Sequence, residues 1–305
     1  MANEHLAGDF YIRFSVYVAV GVCVCVSCTT CIVIFSSKNF RSKYIMFLAL
    51  SVGELANGFS LTIAGTFRMI FISQGRYFME IQRSECLLAP WPIIMLFAGQ
   101  FPSFMTLMIA VERVIAVEFP NWYRYRWKNR YRIYLIGTAL TLTLVFISVA
   151  VVLIMNSDMI LKWRLCNVSE TTGRAYGITH HLFTAASYVF SLAVLIAISF
   201  KMRKGRTPSR DEDRRQKMVL SITAISVTLV SIPNIAVVLN EWKAVKFGHI
   251  TIGIIYCLFG MHSALSIFVY AIFRPEFRKR LLGMLGMKRA NANVKDFTMT
   301  HIISK

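Results

Sequence analysis

Residues 86–113 read "CLLAPWPIIMLFAGQFPSFMTLMIAVER", and from Cys86 to Val111 this run holds no charged residue. An α-helix rises 1.5 Å per residue, so roughly 20 apolar residues cross the hydrocarbon core of a bilayer. Lipid offers backbone polar groups no partners, so a run this long should be helical. It ends at an adjacent acid and base, Glu112 and Arg113. We therefore predict a membrane-spanning helix with a charged pair at one end.

Six further apolar runs occupy most of the chain. The seven predicted spans are residues 14–37, 44–67, 86–111, 133–157, 175–200, 218–240 and 247–273, and only the second is interrupted, by Glu54. With 56% hydrophobic and only 16% charged residues, the chain also lacks the charge that a soluble surface needs. We predict an all-α fold, a single seven-transmembrane-helix bundle over residues 1–305.

The basic residues predict the orientation. Most of the 34 lysine and arginine residues fall in alternate loops and the C-terminal tail, on one side of the predicted membrane. A basic excess marks the cytoplasmic face, so we predict a plasma-membrane protein with its N-terminus outside and its C-terminus inside. The net charge of +19 is thus explained by topology and contacts with anionic membrane lipid, and it does not indicate nucleic acid.

A short amphipathic helix is predicted directly after the seventh span, over residues 274–285. Phe273, Phe277, Leu281 and Leu285 recur every fourth residue among basic side chains, which is typical of a helix lying at the membrane surface. Residues 286–305 are polar, and we predict that this tail is disordered.

Several motifs, in order, resemble rhodopsin-like (class A) G-protein-coupled receptors. Glu112-Arg113-Val114 resembles the Asp-Arg-Tyr motif at the inner end of the third helix; "LALSVGEL" supplies the acid of the second helix, Glu54; and "VSIPN" places Pro233 in the sixth. "SIFVYAIFRPEFRKRLL" resembles the end of the seventh helix and the surface helix after it. "ERVIAVEFPNWYR" is similar to nematode chemosensory serpentine receptors in particular. The resemblance runs from the first helix to about Leu285.

The chain departs from the family pattern at several positions. Val114 replaces the Tyr of the motif, Ser266 and Ile267 stand where the family has Asn-Pro, and Ser231 replaces the Trp of the sixth helix, although Tyr270 remains. The resemblance therefore implies the fold, while the activation details of the family are not carried over at these positions.

The resemblance implies a receptor that transmits binding of an extracellular ligand to a cytoplasmic heterotrimeric G protein. In this family the inner end of the sixth helix swings outward, and Pro233 suits the hinge because it removes a backbone hydrogen bond. The implied switch residues are Glu112, Arg113, Asp213 and Tyr270.

At rest we expect Arg113 to contact Glu112 and Asp213, an acid that family members often place at that spacing from the sixth-helix proline. The alternative is that Asp211-Glu212-Asp213 forms a solvated cluster balanced by Arg214 and Arg215.

The ligand is expected among the outer halves of the helices. The candidate pocket residues are Met95, Gln100, His180, His181, Asn234 and Tyr256. Met95 stands where amine receptors of the family carry an Asp, so a small amine held in that way is disfavoured. The polar members could equally bridge neighbouring helices, and the ligand, a small molecule or a peptide, is left open.

A buried polar site is expected around Glu54, because a carboxylate in mid-membrane is costly unless it is paired or protonated. The family uses this acid to hold sodium. Here His262 and Ser266 lie one helical turn apart in the seventh span, so we predict that Glu54 faces His262 and that sodium binding is weakened. A protonated Glu54 bonded to a backbone or hydroxyl group is the alternative.

The cysteines fall into two groups. Five lie inside apolar runs and are expected to be packing residues: Cys23, Cys25, Cys28, Cys31 and Cys257. The resemblance implies a disulfide between Cys86 and Cys166 on the outer side. Asn167 begins a glycosylation sequon beside Cys166.

Other classes of protein were weighed against the receptor. A seven-helix transporter or channel is the main alternative, but no repeat is evident and Glu54 is the single acid well inside a span. Residues 247–273 hold no lysine, which excludes a retinal linkage there. No metal-binding spacing such as His-Glu-x-x-His occurs, so we predict no cofactor, no metal and no enzymatic activity.

Overall fold

The computed structural model describes residues 2–205 and 209–287. Its helices are α1 (Ala2–Ser36), α2 (Lys38–Ser73), α3 (Trp91–Glu118), α4 (Pro120–Arg126), α5 (Asn129–Met155), α6 (Val168–Thr172), α7 (Arg174–Gly205), α8 (Arg210–Ser226), α9 (Ile232–Glu241), α10 (His249–Phe273) and α11 (Pro275–Met284). A π-helical turn, Val227–Ser231, joins α8 to α9 in one continuous helix.

Within the described residues, seven helices are long and apolar enough to cross a membrane. They are α1, α2, α3, α5, α7, the continuous α8–α9 helix and α10, and we number them as spanning helices one to seven. This confirms the predicted all-α, seven-helix fold. The short helix predicted after the seventh span is also present as α11, with Phe277 buried. Most of the tail that was predicted to be disordered, from residue 288 onward, lies outside the described residues.

The third spanning helix begins later than its apolar run. The run starts at Cys86, but Arg83–Leu88 form a 3₁₀ helix and α3 starts at Trp91. Pro90 explains the break, since a proline disfavours helical geometry in the residue before it and donates no backbone hydrogen bond. The charge-free run therefore includes a segment that is not part of the spanning helix.

Several helices extend beyond their apolar runs, for example two at the end of the bundle that carries Glu112. The helix predicted over residues 175–200 continues to Gly205, and the one predicted to begin at residue 218 begins at Arg210. A capping box fixes that start: the Ser209 hydroxyl accepts from the Glu212 N–H, and the Glu212 carboxylate accepts from the Ser209 N–H. Apolar runs thus mark the part of a helix in lipid and underestimate its length.

The core is divided along the bundle axis. One aromatic cluster packs around Tyr270, whose ring centroid lies 4.9 Å from that of Phe35 and 5.6 Å from that of Phe277. A second surrounds Phe10 and Phe14 near the other end. The first two spanning helices approach closely at Gly21, where a Cβ would lie 2.4 Å from the Thr62 hydroxyl oxygen, so this crossing requires glycine.

The two ends of the bundle differ in construction. At one end, β1 (Ile81–Gln82) pairs antiparallel with β2 (Ile160–Leu161), and the predicted disulfide between Cys86 and Cys166 is confirmed. We call this the disulfide end. The opposite end carries Glu112 near the finish of α3, and we call it the Glu112 end.

Candidate functional site

The charged pair at the Glu112 end belongs to a larger buried cluster. Glu112 is 1% exposed, and its carboxylate lies 3.3 Å from Arg113, 2.8 Å from Arg132 and 3.3 Å from Arg215. The Tyr123 hydroxyl also donates to it over 2.8 Å. A buried carboxylate needs such compensation, because removal from water costs several kcal/mol per ion. The cluster joins the third, fourth and sixth spanning helices through one acid.

The contact predicted between Arg113 and Asp213 is absent from the structure. Asp213 lies instead 2.7 Å from Lys217, one helical turn along α8, and both side chains are well exposed. The reason is the angular position of each residue around the α8 axis. Successive residues are rotated by about 100°, so Asp213 and Arg215 point in nearly opposite directions, and Arg215 is the one that faces Glu112.

A second ion pair joins the sixth and seventh spanning helices at this end. Asp211 of α8 lies 2.5 Å from Nη1 of Arg274, which follows α10. The Arg274 guanidinium also lies 5.1 Å from the centroid of the Tyr44 ring. Asp211 is thus solvated, as the alternative to the predicted contact expects, because its side chain is 72% exposed. Its partner, however, is Arg274, and Arg215 pairs with Glu112 instead of balancing the acidic cluster.

An open cavity lies between α3, α4 and the start of α8, with an empty volume of about 1330 Å³. Its walls carry Arg113, Arg124 and Arg215 beside Asp211 and Glu212. The three arginines outnumber the two acids on these walls, so the cavity lining has a small excess of positive charge. It could therefore receive an acidic or carboxylate-bearing segment of a partner.

The hinge candidate Pro233 lies at the start of α9, directly after the π-helical turn. Because proline lacks an N–H, the preceding turn cannot complete a regular α-helical ladder, and such wide turns frequently occur at functional sites. Tyr270, the other predicted switch residue, is fully buried among the aromatic rings described above and lies outside the Glu112 cluster.

Glu54, His262 and Ser266 come together in the middle of the bundle, and all three are buried. Nε2 of His262 lies 3.8 Å from the Glu54 carboxylate, and the Ser266 hydroxyl donates to the same oxygen over 3.4 Å. His262 Nδ1 contacts the Phe259 carbonyl at 2.6 Å. A contact with an acceptor there fixes the ring and leaves Nε2 facing the acid.

A central cavity of about 580 Å³ lies between Glu54 and the disulfide end. Five of the six predicted pocket residues line it: Met95, His180, His181, Asn234 and Tyr256. Sequence reasoning missed Asn57, Ser60, Thr184 and Tyr188, and it assigned His262 to the site around Glu54 but not to this cavity. None of the described lining residues is Asp, Glu, Lys or Arg, so the cavity would hold a ligand by shape and neutral hydrogen bonds.

Four of the predicted pocket residues bridge helices, in two pairs. Gln100 lies behind the cavity wall, where its amide nitrogen donates to the Tyr176 hydroxyl and contacts His180 Nδ1, each over 3.1 Å. His181 Nδ1 lies 2.6 Å from the Asn234 side-chain oxygen and so connects the fifth and sixth spanning helices. Gln100 is thus a positioning residue for His180, while His181 and Asn234 both line the cavity and join its walls.

The disulfide end is fixed by buried hydrogen bonds to the chain around Cys166. Arg68 donates to the Leu165 carbonyl, and Trp91 Nε1 donates to the Cys166 carbonyl over 3.1 Å. Asn167 caps α6 by accepting from the Glu170 N–H over 2.8 Å. The sequon asparagine therefore has a structural role in the loop, and its glycosylation stays a prediction.

The family was determined by comparison with protein-family models. The model of the serpentine type 7TM GPCR chemoreceptor Srsx matches residues 32–285. This chain belongs to the Srsx family. No curated protein matches it. As an Srsx member, the chain is a multi-pass membrane protein of a chemoreceptor family, and its match extends from the last five residues of α1 to the end of α11. The Glu112 cluster, the central cavity and the disulfide all lie inside the match, whereas Phe10 and Arg13 at the start of α1 lie outside it.

Proposed function

We propose that this Srsx chain is a chemosensory receptor that transmits the binding of an extracellular ligand to a heterotrimeric G protein. The observation that carries the proposal is the ion pair between Glu112 of the third spanning helix and Arg215 of the sixth. This ion pair joins α3 to α8 beside the cavity that both helices line. Separation of the two helices would open that cavity to a partner.

The Glu112 cluster would act as the resting latch. With Glu112 held by Arg132, Arg113 and Arg215 together, the start of α8 stays against α3. Release of Arg215 would let α8 move outward and would leave Arg113 available to an acidic or carboxylate group of the G protein. The pair is largely buried, so it can influence a two-state equilibrium more than an exposed pair would.

The central cavity would bind the ligand and influence that equilibrium. His181 on α7 and Asn234 on α9 both line it and contact each other over 2.6 Å. A ligand that binds one relative position of these helices more tightly would shift the population toward it. The shift would pass to α8 through Pro233 and the π-helical turn, where the Ser231 hydroxyl bonds the Ala185 carbonyl over 3.1 Å.

The orientation follows from charge and redox environment. The basic loops at the Glu112 end favour a cytoplasmic position for that end, and the disulfide end would then face the oxidising exterior. The N-terminus is then outside the plasma membrane, with lipid around the bundle and α11 at its inner surface.

The proposal is tested by expressing the receptor with each class of Gα subunit and measuring nucleotide exchange in isolated membranes. We expect exchange above receptor-free membranes with at least one class, and loss of it in Arg113→Ala. Arg41→Ala removes an exposed arginine at the same end and should retain it. Absence of exchange with every class, both in the wild type and in the latch variant Arg215→Ala, would contradict the proposal.

A further inference from the structure

A second cavity opens beside the central one, at the disulfide end, with an empty volume of about 630 Å³. It lies between the start of α1, the segment around α6, the end of α9 and the start of α10. Tyr256 lines both cavities and so separates them. We call this the outer cavity. Unlike the central cavity, it has charged side chains in its wall: Arg13, Glu170 and Glu241.

In the part of the chain that the structure describes, Arg13 is a buried cation without a carboxylate partner. Its side chain lines the outer cavity although the residue is only 6% exposed, and its Nε donates to the Tyr17 hydroxyl over 3.0 Å. Among the described residues, no acid lies within ion-pair distance of its guanidinium. The rings of Phe14 and Tyr17 flank that group, with centroids 5.6 and 5.5 Å away. A buried charge is costly unless it is paired, so this arginine suits an anion brought by a ligand.

Glu170 is an unsatisfied acid in the wall of the same cavity. Its Oε2 atom is buried and has no hydrogen-bond partner among the described residues. Burial raises the pKa of this carboxyl to about 7, and the positive charges of Arg68 and Arg13 only partly offset that effect. A cation bound against Glu170 would restore the ionised form.

Aromatic and aliphatic side chains form most of the rest of the wall. The ring centroids of Phe10 and His249 lie 4.9 Å apart, and that of Trp163 lies 5.7 Å from Phe10 and 5.8 Å from His249. These three rings lie on the same cavity as Arg13 and Glu170. An aromatic or apolar group would pack against them, since aromatic pairs gain stability beyond simple burial.

We propose that the outer cavity binds a small aromatic zwitterion, whose carboxylate pairs with Arg13 and whose ammonium group pairs with Glu170. Within the described residues each of the two protein charges lacks a close partner of opposite sign, and a zwitterion satisfies both at once. Arginine favours a carboxylate because its planar fork can donate two parallel hydrogen bonds. Glu241 places a second carboxylate on the wall of the same cavity.

The aromatic zwitterion gives the proposed receptor a ligand class. Only the statement that its binding triggers signalling rests on the proposed function; the binding itself does not. Arg13 lies outside residues 32–285 and Glu170 lies inside them, so only the proposed carboxylate-binding residue belongs to a part of this chain that the family match does not cover. Binding itself is measurable without a G protein, which keeps a failure of the two proposals distinguishable.

The test uses purified receptor in lipid nanodiscs and a matched set of probes. L-phenylalanine and L-tryptophan carry both charges, phenethylamine lacks the carboxylate, and 3-phenylpropanoate lacks the ammonium group. We expect the two amino acids to bind at least about tenfold more tightly than either analogue, because each analogue leaves one buried charge unpaired. Equal binding of amino acid and analogues, or no binding of either amino acid, would overturn the proposal.

Two variants assign the charges, and each has a matched control. Arg13→Gln should abolish the preference for phenylalanine over phenethylamine, and Glu170→Gln should abolish the preference over 3-phenylpropanoate. Arg76→Gln and Glu85→Gln remove exposed charges at the same end and should leave both preferences intact. Because preferences are ratios within one variant, a partial loss of folded receptor does not alter them. Retention of both preferences in Arg13→Gln and Glu170→Gln would refute the assignment.

Discussion

The carboxylate of Glu112 lies 3.3 Å from the guanidinium of Arg215, with Glu112 fully buried and Arg215 largely so. The acid of this ion pair is on the third spanning helix, and the base is on the sixth. The sequence resemblance suggested the reverse arrangement, an arginine on the third helix held by an acid on the sixth. Glu112 therefore performs two tasks: it holds its neighbour Arg113, and it reaches across to α8.

Loss of the Glu112–Arg215 ion pair should raise the basal, ligand-independent activity of the receptor. Arg215→Ala removes the contact with α3 while leaving Arg132 to neutralise Glu112, so we expect higher ligand-independent nucleotide exchange at normal surface expression. Asp213→Ala is the matched control on the same helix, because Asp213 pairs with exposed Lys217 and such pairs contribute only ~0–1 kcal/mol. A rise in Asp213→Ala with none in Arg215→Ala would restore the latch suggested by the resemblance.

Removal of the disulfide should lower stability and surface expression. Cys86 and Cys166 are 80 residues apart in sequence, and loss of a native disulfide typically costs ~2–5 kcal/mol in small secreted domains. We expect Cys86→Ser and Cys166→Ser to lower the thermal midpoint by similar amounts, with the double variant no worse than either. Cys257→Ser removes a buried free thiol and is the control. Peptide mapping under non-reducing conditions that recovers both thiols free would contradict the bond.

The fold was predictable from the sequence because lipid imposes a simple rule, that long charge-free runs become helices. The site was less predictable. Residue spacing predicted how far along α3 Gln100 lies, but not which way its side chain points. That side chain faces Tyr176 and His180 instead of the cavity. Likewise Asp213 was placed at the correct end of α8 but on the wrong side. Which side chain faces inward depends on packing with neighbouring helices, which one sequence does not specify.

Some participants could not be found by pattern at all. Arg132 and Arg274 were counted among the basic residues that set topology, and nothing in their local sequence distinguishes them from exposed arginines nearby. The structure gives each an acidic partner, Glu112 and Asp211 respectively. Their partners come from other helices, so only the folded arrangement identifies them.

Sodium should have little effect on this receptor. Glu54 faces Nε2 of His262 at 3.8 Å and accepts from Ser266, so a histidine nitrogen stands beside the carboxylate where sodium would need an oxygen. A cation such as sodium requires several oxygen ligands, and a histidine nitrogen is a poor substitute. We expect sodium chloride to raise the thermal midpoint no more than choline chloride at equal ionic strength. A sodium-specific rise that disappears in Glu54→Ala would count decisively against this arrangement.

Stability should fall as pH rises from about 4.5 to about 7, owing to Glu170. Burial raises the pKa of its carboxyl from 4.5 to about 7, so the folded protein retains a proton that the unfolded chain has released in this range. The protonated Glu170 carboxyl therefore contributes its full stabilisation below its unfolded pKa, and this stabilisation is lost as pH rises through the folded pKa.

Thermal midpoints of the wild type and Glu170→Gln, measured at pH 5 and pH 8, isolate the contribution of Glu170 from that of other titrating groups. We expect the wild type to lose more stability than Glu170→Gln between the two conditions, whereas Glu85→Gln should behave like the wild type. Identical losses in the wild type and Glu170→Gln would show that this carboxyl does not hold its proton in the folded state.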